Sequence, residues 1–168
     1  MKICFLDSSP IPYTSSDLES KNIRGAENVI IHLSRELSKL DIDVDVYNNC
    51  LKKKIIENVK WSNLYNVNKN TTYDIAFTNN DIRLFDKVIA KKYVAFSHSI
   101  QSIEKFIRKG QLISYLKYKP KIILLGKYHE KNRNFLLKIF GTINLQWAVD
   151  PLFLETSLDE STIENRAI

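Results

Sequence analysis

The residues that could do chemistry fall at joints between hydrophobic segments. They are Asp7 and Ser8, Arg24 and Gly25, Asn79 and Asn80, Ser97 with His98 and Ser99, Gly126 and Lys127, and Asp150. Hydroxyls, amides, one lysine and a glycine that lets backbone N–H groups come close make a set suited to a phosphate ester. His98, in "AFSHSIQ", ends a central strand, where a side chain projects into the crevice, and that position marks it as the candidate catalytic residue. Arg24, Gly25, Ser8, Asn79, Ser97 and Lys127 are the candidate substrate- or phosphate-binding residues. Gly25 has two readings at this point. It caps the helix that follows or lets it pack on a sheet, or it opens that helix to an anion.

Several chemistries lack their signature. No G-x-G-x-x-G follows the first hydrophobic segment, and no G-x-x-x-x-G-K-[ST] occurs. A G-x-S-x-G elbow is missing, and Cys4 and Cys50 have neither metal-ligand spacing nor the number of a disulfide framework. No metal site is expected. His32 falls inside a helical period and reads as structural. His129 opens a later one, where it caps, meets a phosphate or faces solvent. Asp81 with Asp86, and Glu130 near Arg133, read as solvated helix faces rather than catalytic carboxylate pairs.

Elements of two periods must hold these residues. "KICFLD" is a short run of the buried-strand type, followed by a loop from Ser8 to Arg24 rich in serine and proline. Val29, Ile30, Leu33, Leu37 and Leu40 recur at helical spacing, and "IDVDVYNN" alternates as a strand with one wetter face. The pattern repeats with a strand over Tyr73–Asn80, a short helix over Asp81–Ala90 and a strand over Lys92–Ser99. It goes on with a helical region over Gln101–Tyr118, broken at Gly110, then a strand over Lys121–Gly126. A helix over His129–Phe140 and a strand over Ile143–Val149 close the series. Between Leu51 and Thr72 a short helix, a strand or both fit. Alternation of this kind predicts an α/β fold, one doubly wound, mostly parallel, Rossmann-like sheet in a single domain. In such a sheet, ligands bind beyond the C-terminal strand ends, where the polar joints fall.

The charge is uneven. The net charge of +6 is carried by the middle of the chain, between two mildly acidic ends. Such a field attracts phosphates, nucleic acid or an anionic membrane surface. The stretch Glu104–Lys121 mixes basic residues with Phe106, Tyr115 and Tyr118. It reads as a solvated crossover helix or as a peripheral contact with an anionic membrane, its aromatics at headgroup level. No nucleic-acid reading element is visible, so nucleic acid is not an expected partner. The N-terminus is a poor signal peptide and no segment is long and apolar enough to span a bilayer. A cytoplasmic protein, peripheral on the inner face of the membrane if it touches one, is the expectation.

The order of these motifs resembles the N-terminal domain of GT-B glycosyltransferases, in particular the retaining family 4 group. "RGAENVIIHLSRELSKLDIDVDVYNN" follows that family's opening, a "GGAE" or "GGSE" helix start and then a strand of the "GHxVxVxT" kind. Gly25, Ala26 and Glu27 match. Arg24 replaces the first glycine, and Asp41 takes the usual glycine place after the helix. "YVAFSHS" is similar to the strand ending in the acceptor-side histidine, and "IILLGKYHEKNR" to a later strand and helix start. "LQWAVDPLFL" resembles the connection that closes the domain, with Trp147 and Ala148 where asparagine and glycine are common.

The resemblance spans residues 1–155, with 156–168 as the run-in to a C-terminal donor-binding domain that is missing. It implies the acceptor-side half of a glycosyltransferase that moves a sugar from a nucleotide-sugar to a glycan or lipid-linked acceptor. That half would be inactive alone and would need no cofactor and no metal. Gly25 and its helix N-terminus would then approach the donor phosphates or the acceptor, and His98 would hydrogen-bond the transferred sugar or the donor phosphate. The alternative is a noncatalytic α/β module that binds a phosphate ligand or a protein through the same crevice. The donor sugar, acceptor and linkage are not legible in the sequence.

Overall fold

Strand β1 (Lys2–Leu6) buries both of its faces, because Cys4 and Leu6 point one way and Ile3 and Phe5 the other. The coordinates are a computed structural model that describes residues 1–18, 23–97, 109–124, 126–132, 135, 138 and 141–145. Helix α1 (Gly25–Lys39) leads from β1 to its parallel neighbour β2 (Asp43–Asn48). A hairpin of β3 (Lys54–Ile56) and β4 (Val59–Asn63) follows, with β4 parallel to β2. The chain then crosses to the other side of β1, where β5 (Thr72–Asn79), β6 (Ile89–Phe96), β7 (Lys121–Leu124) and β8 (Thr142–Asn144) line up in parallel. Helices α2 (Leu112–Tyr118) and α3 (Lys127–Lys131) lie between strands in this second half.

The protein is therefore α/β, with an eight-stranded mixed sheet in the order β3-β4-β2-β1-β5-β6-β7-β8. Among the described residues only the β3/β4 pair is antiparallel. This order is compatible with a Rossmann-like fold, since the chain turns back next to β1.

Each sheet face has its own core. One joins Ile3, Phe5, Val44, Val46 and Trp61 to Ile30 and Ile31 of α1, and Phe77 stacks between Phe5 and Phe96 at 4.8 and 5.8 Å. The other joins Cys4, Leu6 and Tyr73 to a 3-10 turn over Ile82–Lys87 and to Tyr115 of α2. The buried stripe of α1 is Glu27, Ile30, Ile31, Ser34 and Ser38, rotated from the leucine stripe its sequence suggests. Small serines let the helix approach the sheet, and Ser38 Oγ donates to the Glu57 carbonyl at 2.9 Å. Leu33 and Leu37 are half-buried, and Leu40 is 70% exposed beyond the helix end.

Several expected elements take another form. The segment Leu51–Thr72 holds the β3/β4 hairpin, turned by Glu57 and Asn58 with φ of 52° and 62°, the type I′ signature. Asp81–Ala90 is not an α-helix. Asp81 caps a 3-10 turn over Ile82–Lys87, and β6 starts at Ile89, earlier than expected, to pair with Thr72. Gly110 has φ of 64° just before α2, and the part of the expected helical region over 101–108 lies outside the described residues. On the face of β2 that the sequence suggests is wetter, Asp45 is buried and accepts from Tyr73 Oη at 2.8 Å. Among the described residues no helix is long and apolar enough to cross a membrane.

Candidate functional site

The reversal of strand order puts the C-terminal ends of β1 and β5 side by side, and both ends are polar. Asp7 extends β1, its N–H donating to the Tyr47 carbonyl at 2.9 Å, and its carboxylate is only 3% exposed. One oxygen accepts from Ser9 N–H at 3.1 Å and the other from Tyr13 Oη at 2.7 Å. Burial pushes the Asp7 pKa up. The Tyr13 and Ser9 hydrogen bonds pull it back, and the Glu27 charge adds to the upward shift.

Glu27 stands three residues into α1, where the free N–H groups of the helix favour an anion. It turns inward instead of toward solvent and is 3% exposed. Its Oε1 accepts from Ser9 Oγ at 2.5 Å, and its Oε2 is buried without a hydrogen-bond partner. Ser9 therefore ties the loop after β1 to the start of α1. Asn49 Nδ2 holds the same loop through the Ser9 carbonyl at 2.6 Å. Tyr13 anchors it in the core edge-on to Trp61, with centroids 6.0 Å apart.

At the end of β5, Asn80 adopts φ of 62° and its amide donates to Asn79 Oδ1 at 3.2 Å. Gln111 bridges from the start of α2, donating to the Asn80 carbonyl at 3.2 Å and accepting from Ile82 N–H at 3.4 Å. Between these groups lies an open cleft of about 340 Å³, lined by Ser8, Asn79, Asn80, Arg83, Lys109 and Gln111, with Asp81 beside Arg83. Asp81 holds the Arg83 guanidinium in a fork at 2.9 and 2.8 Å. Lys109 has no ion pair among the described residues, so its charge is the one the cleft presents. Neutral donors around one open cation can bind an anion. The buried carboxylates, already bonded to the loop, brace its wall.

Of the residues expected from sequence, Ser8 and Asn79 line this cleft together. Ser97 is buried just behind it, sharing a narrow gap with Asn80 and Gln111 while its N–H donates to the Ile123 carbonyl at 3.2 Å. Arg24 and Gly25 are exposed at the start of α1 and do not line the cleft. Arg24 is the residue before the helix, and its carbonyl accepts from Asn28 N–H at 3.0 Å. A Cβ built on Gly25 meets nothing within 4 Å, so packing on the sheet does not require the glycine. Lys127 is exposed as the first residue of α3, outside the cleft. His98 lies outside the described residues.

Glu27, Ser9, Arg83, Lys109 and Gln111 were not singled out by sequence as site residues. Glu27 carries a readable signal, since it falls three and four residues before Ile30 and Ile31 on the buried stripe. Of the tyrosines considered for a membrane surface, Tyr115 is fully buried, its pKa pushed up to about 12 by burial. Tyr118 packs on Phe85 and Tyr93 with centroids 5.6 and 4.8 Å away. No group of three or more His, Cys, Asp or Glu that could hold a metal occurs among the described residues. The chain matches no protein-family model and no curated protein.

Proposed function

We propose that this chain is the acceptor-side, N-terminal domain of a GT-B glycosyltransferase of the family 4 kind, with a doubly wound sheet. Its reaction moves a sugar from a nucleotide-sugar to a glycan or lipid-linked acceptor. The observation that carries this reading is the segment Gly25–Asn49. It has the family's sequence pattern, and its helix opens with a glycine that packing does not require. The polar cleft at the neighbouring strand ends supports it, with Ser8, Asn79 and Lys109 as groups for a phosphate or sugar hydroxyl. His98 acts next to the reacting centre, and Gly25 admits the donor phosphates or the acceptor. Transition-state stabilisation needs both walls of a cleft, so these 168 residues alone have little or no transfer activity. Ile113 and Leu116, exposed on α2 beside Lys117 and Lys119, support peripheral contact with an anionic membrane.

The test is the reading frame beyond Ile168, followed by a nucleotide-sugar hydrolysis screen of the longer protein. A second α/β domain with two glutamates eight residues apart, and hydrolysis that His98→Ala abolishes, is the expected result. An unchanged kcat/KM in His98→Ala would refute the catalytic role. A stop codon with no neighbouring partner gene would favour the noncatalytic module.

A further inference from the structure

A second polar site lies away from the strand-end cleft. On the face opposite α1, β1, β2 and β4 present Lys2, Asp45, Tyr47, Lys60 and Ser62 instead of an apolar surface. The connection from β4 to β5 crosses here with a 3-10 turn over Leu64–Asn66, and among the described residues no helix covers this part of the sheet. The result is a cavity of about 410 Å³ between the sheet, Lys53 and the Asn66–Thr71 loop. That volume is within the roughly 300–1,000 Å³ of small-molecule sites.

The charges of the cavity can be followed one by one. Asp45 is buried, accepts from Tyr73 Oη at 2.8 Å and lies 3.5 Å from Lys2 Nζ. Lys60 Nζ donates to Asp43 at 2.6 Å, and Lys2 is 3.6 Å from the same carboxylate. Two aspartates thus offset Lys2 and Lys60. Lys53, which is exposed, has no ion pair among the described residues. One positive charge is left over beside Ser62, Asn66, Asn68 and Thr71, which offer hydroxyls and amides. Tyr47 shares a hydrogen bond with Tyr73 at 2.9 Å, so the floor is held in place before any ligand arrives. A polyanion would find too little charge here, and an apolar ligand too many polar groups.

We infer that this cavity binds a polyhydroxylated ring carrying one negative charge, that is, an acidic or phosphorylated sugar. Lys53 meets the charge, and Ser62, Thr71 and the loop amides meet the hydroxyls. The inference does not rest on the glycosyltransferase reading, because no residue of the strand-end cleft takes part.

Amide NMR titration of the whole 168-residue chain tests it, with glucuronic acid, glucose 6-phosphate, glucose and inorganic phosphate as probes. Expected are saturable shifts at Lys53, Lys60–Ser62 and Asn66–Thr71 with one or both charged sugars, and binding of glucose at least about tenfold weaker. A response to only one charged sugar identifies the source of the charge. Lys53→Ala should keep its thermal unfolding and weaken the charged sugar about tenfold. The inference is overturned if neither charged sugar gives saturable shifts, or if Lys53→Ala leaves the affinity unchanged. Inorganic phosphate that matches glucose 6-phosphate in shifts and affinity would also overturn it.

Discussion

Removing the Tyr13 hydroxyl should destabilise this protein in a pH-dependent way. Tyr13 Oη donates to the buried Asp7 carboxylate at 2.7 Å, and the ring lies edge-on to Trp61. In Tyr13→Phe the ring stays, so no cavity of consequence opens, but one Asp7 oxygen loses its donor. A hydrogen bond to a charged group contributes about 1.5–3 kcal/mol, and that is the loss expected near neutral pH. For a chain of this size it corresponds to a fall in Tm of roughly 3–12 °C. Burial already raises the folded-state pKa of Asp7 above its ordinary value, and losing Tyr13 raises it further. A raised folded pKa contributes stability that is present below the unfolded pKa and is lost as pH rises through the folded value. The variant's deficit is therefore complete above the folded pKa of Asp7. It shrinks as pH falls through that value, because a protonated carboxyl needs no donor. Urea unfolding of both proteins from about pH 4 to about pH 8 reads this directly. A deficit below about 0.5 kcal/mol, or one that does not change with pH, would refute the reasoning.

Other expectations are simpler. Gly25→Ala should raise stability by about 0.4–1 kcal/mol in urea unfolding, because a Cβ there meets open space outside the left-handed region. In a longer, active protein the same change should lower nucleotide-sugar hydrolysis. Asp41 follows α1 with φ of 56°, so Asp41→Gly should stabilise by about 0.5–1 kcal/mol in the same assay. Cys4 and Cys50 are buried, and burial pushes both thiol pKa values up. Mass spectrometry after alkylation should find both slow at neutral pH in the folded protein and fast in urea.

Helix α1 and strand β2 were legible from the period of their apolar residues, and β1 and β7 from short, nearly continuous apolar runs of the buried-strand type. Asp41 could be read as well, standing at a position after a helix that favours a left-handed residue. The hairpin β3/β4 was not legible, since its turn is Glu57-Asn58 instead of a glycine-containing pair. The short helix expected over Asp81–Ala90 is a 3-10 helix over Ile82–Lys87, and two turns show too little of their period to tell it from an α-helix. Of the residues that line the cleft, Ser8 and Asn79 were legible because strand-end polar residues converge in a parallel sheet. Arg83, Lys109 and Gln111 were missed, since they reach the cleft only through the way α2 and the 3-10 turn pack beside it.

By itself, then, the sequence determined that alternating α and β segments would build a parallel sheet, and that polar residues would gather at its strand ends. Periodicity gives the direction of each side chain relative to its own backbone, and that information is local. What lies opposite each side chain was decided only by the tertiary structure. Packing turned Asp45, expected on the wetter face of its strand, into a buried carboxylate, enclosed Glu27 as well, left Leu40 in water, and left empty space at the opening glycine of α1 where a side chain would fit. These outcomes depend on contacts between residues far apart in the chain, which no local pattern records.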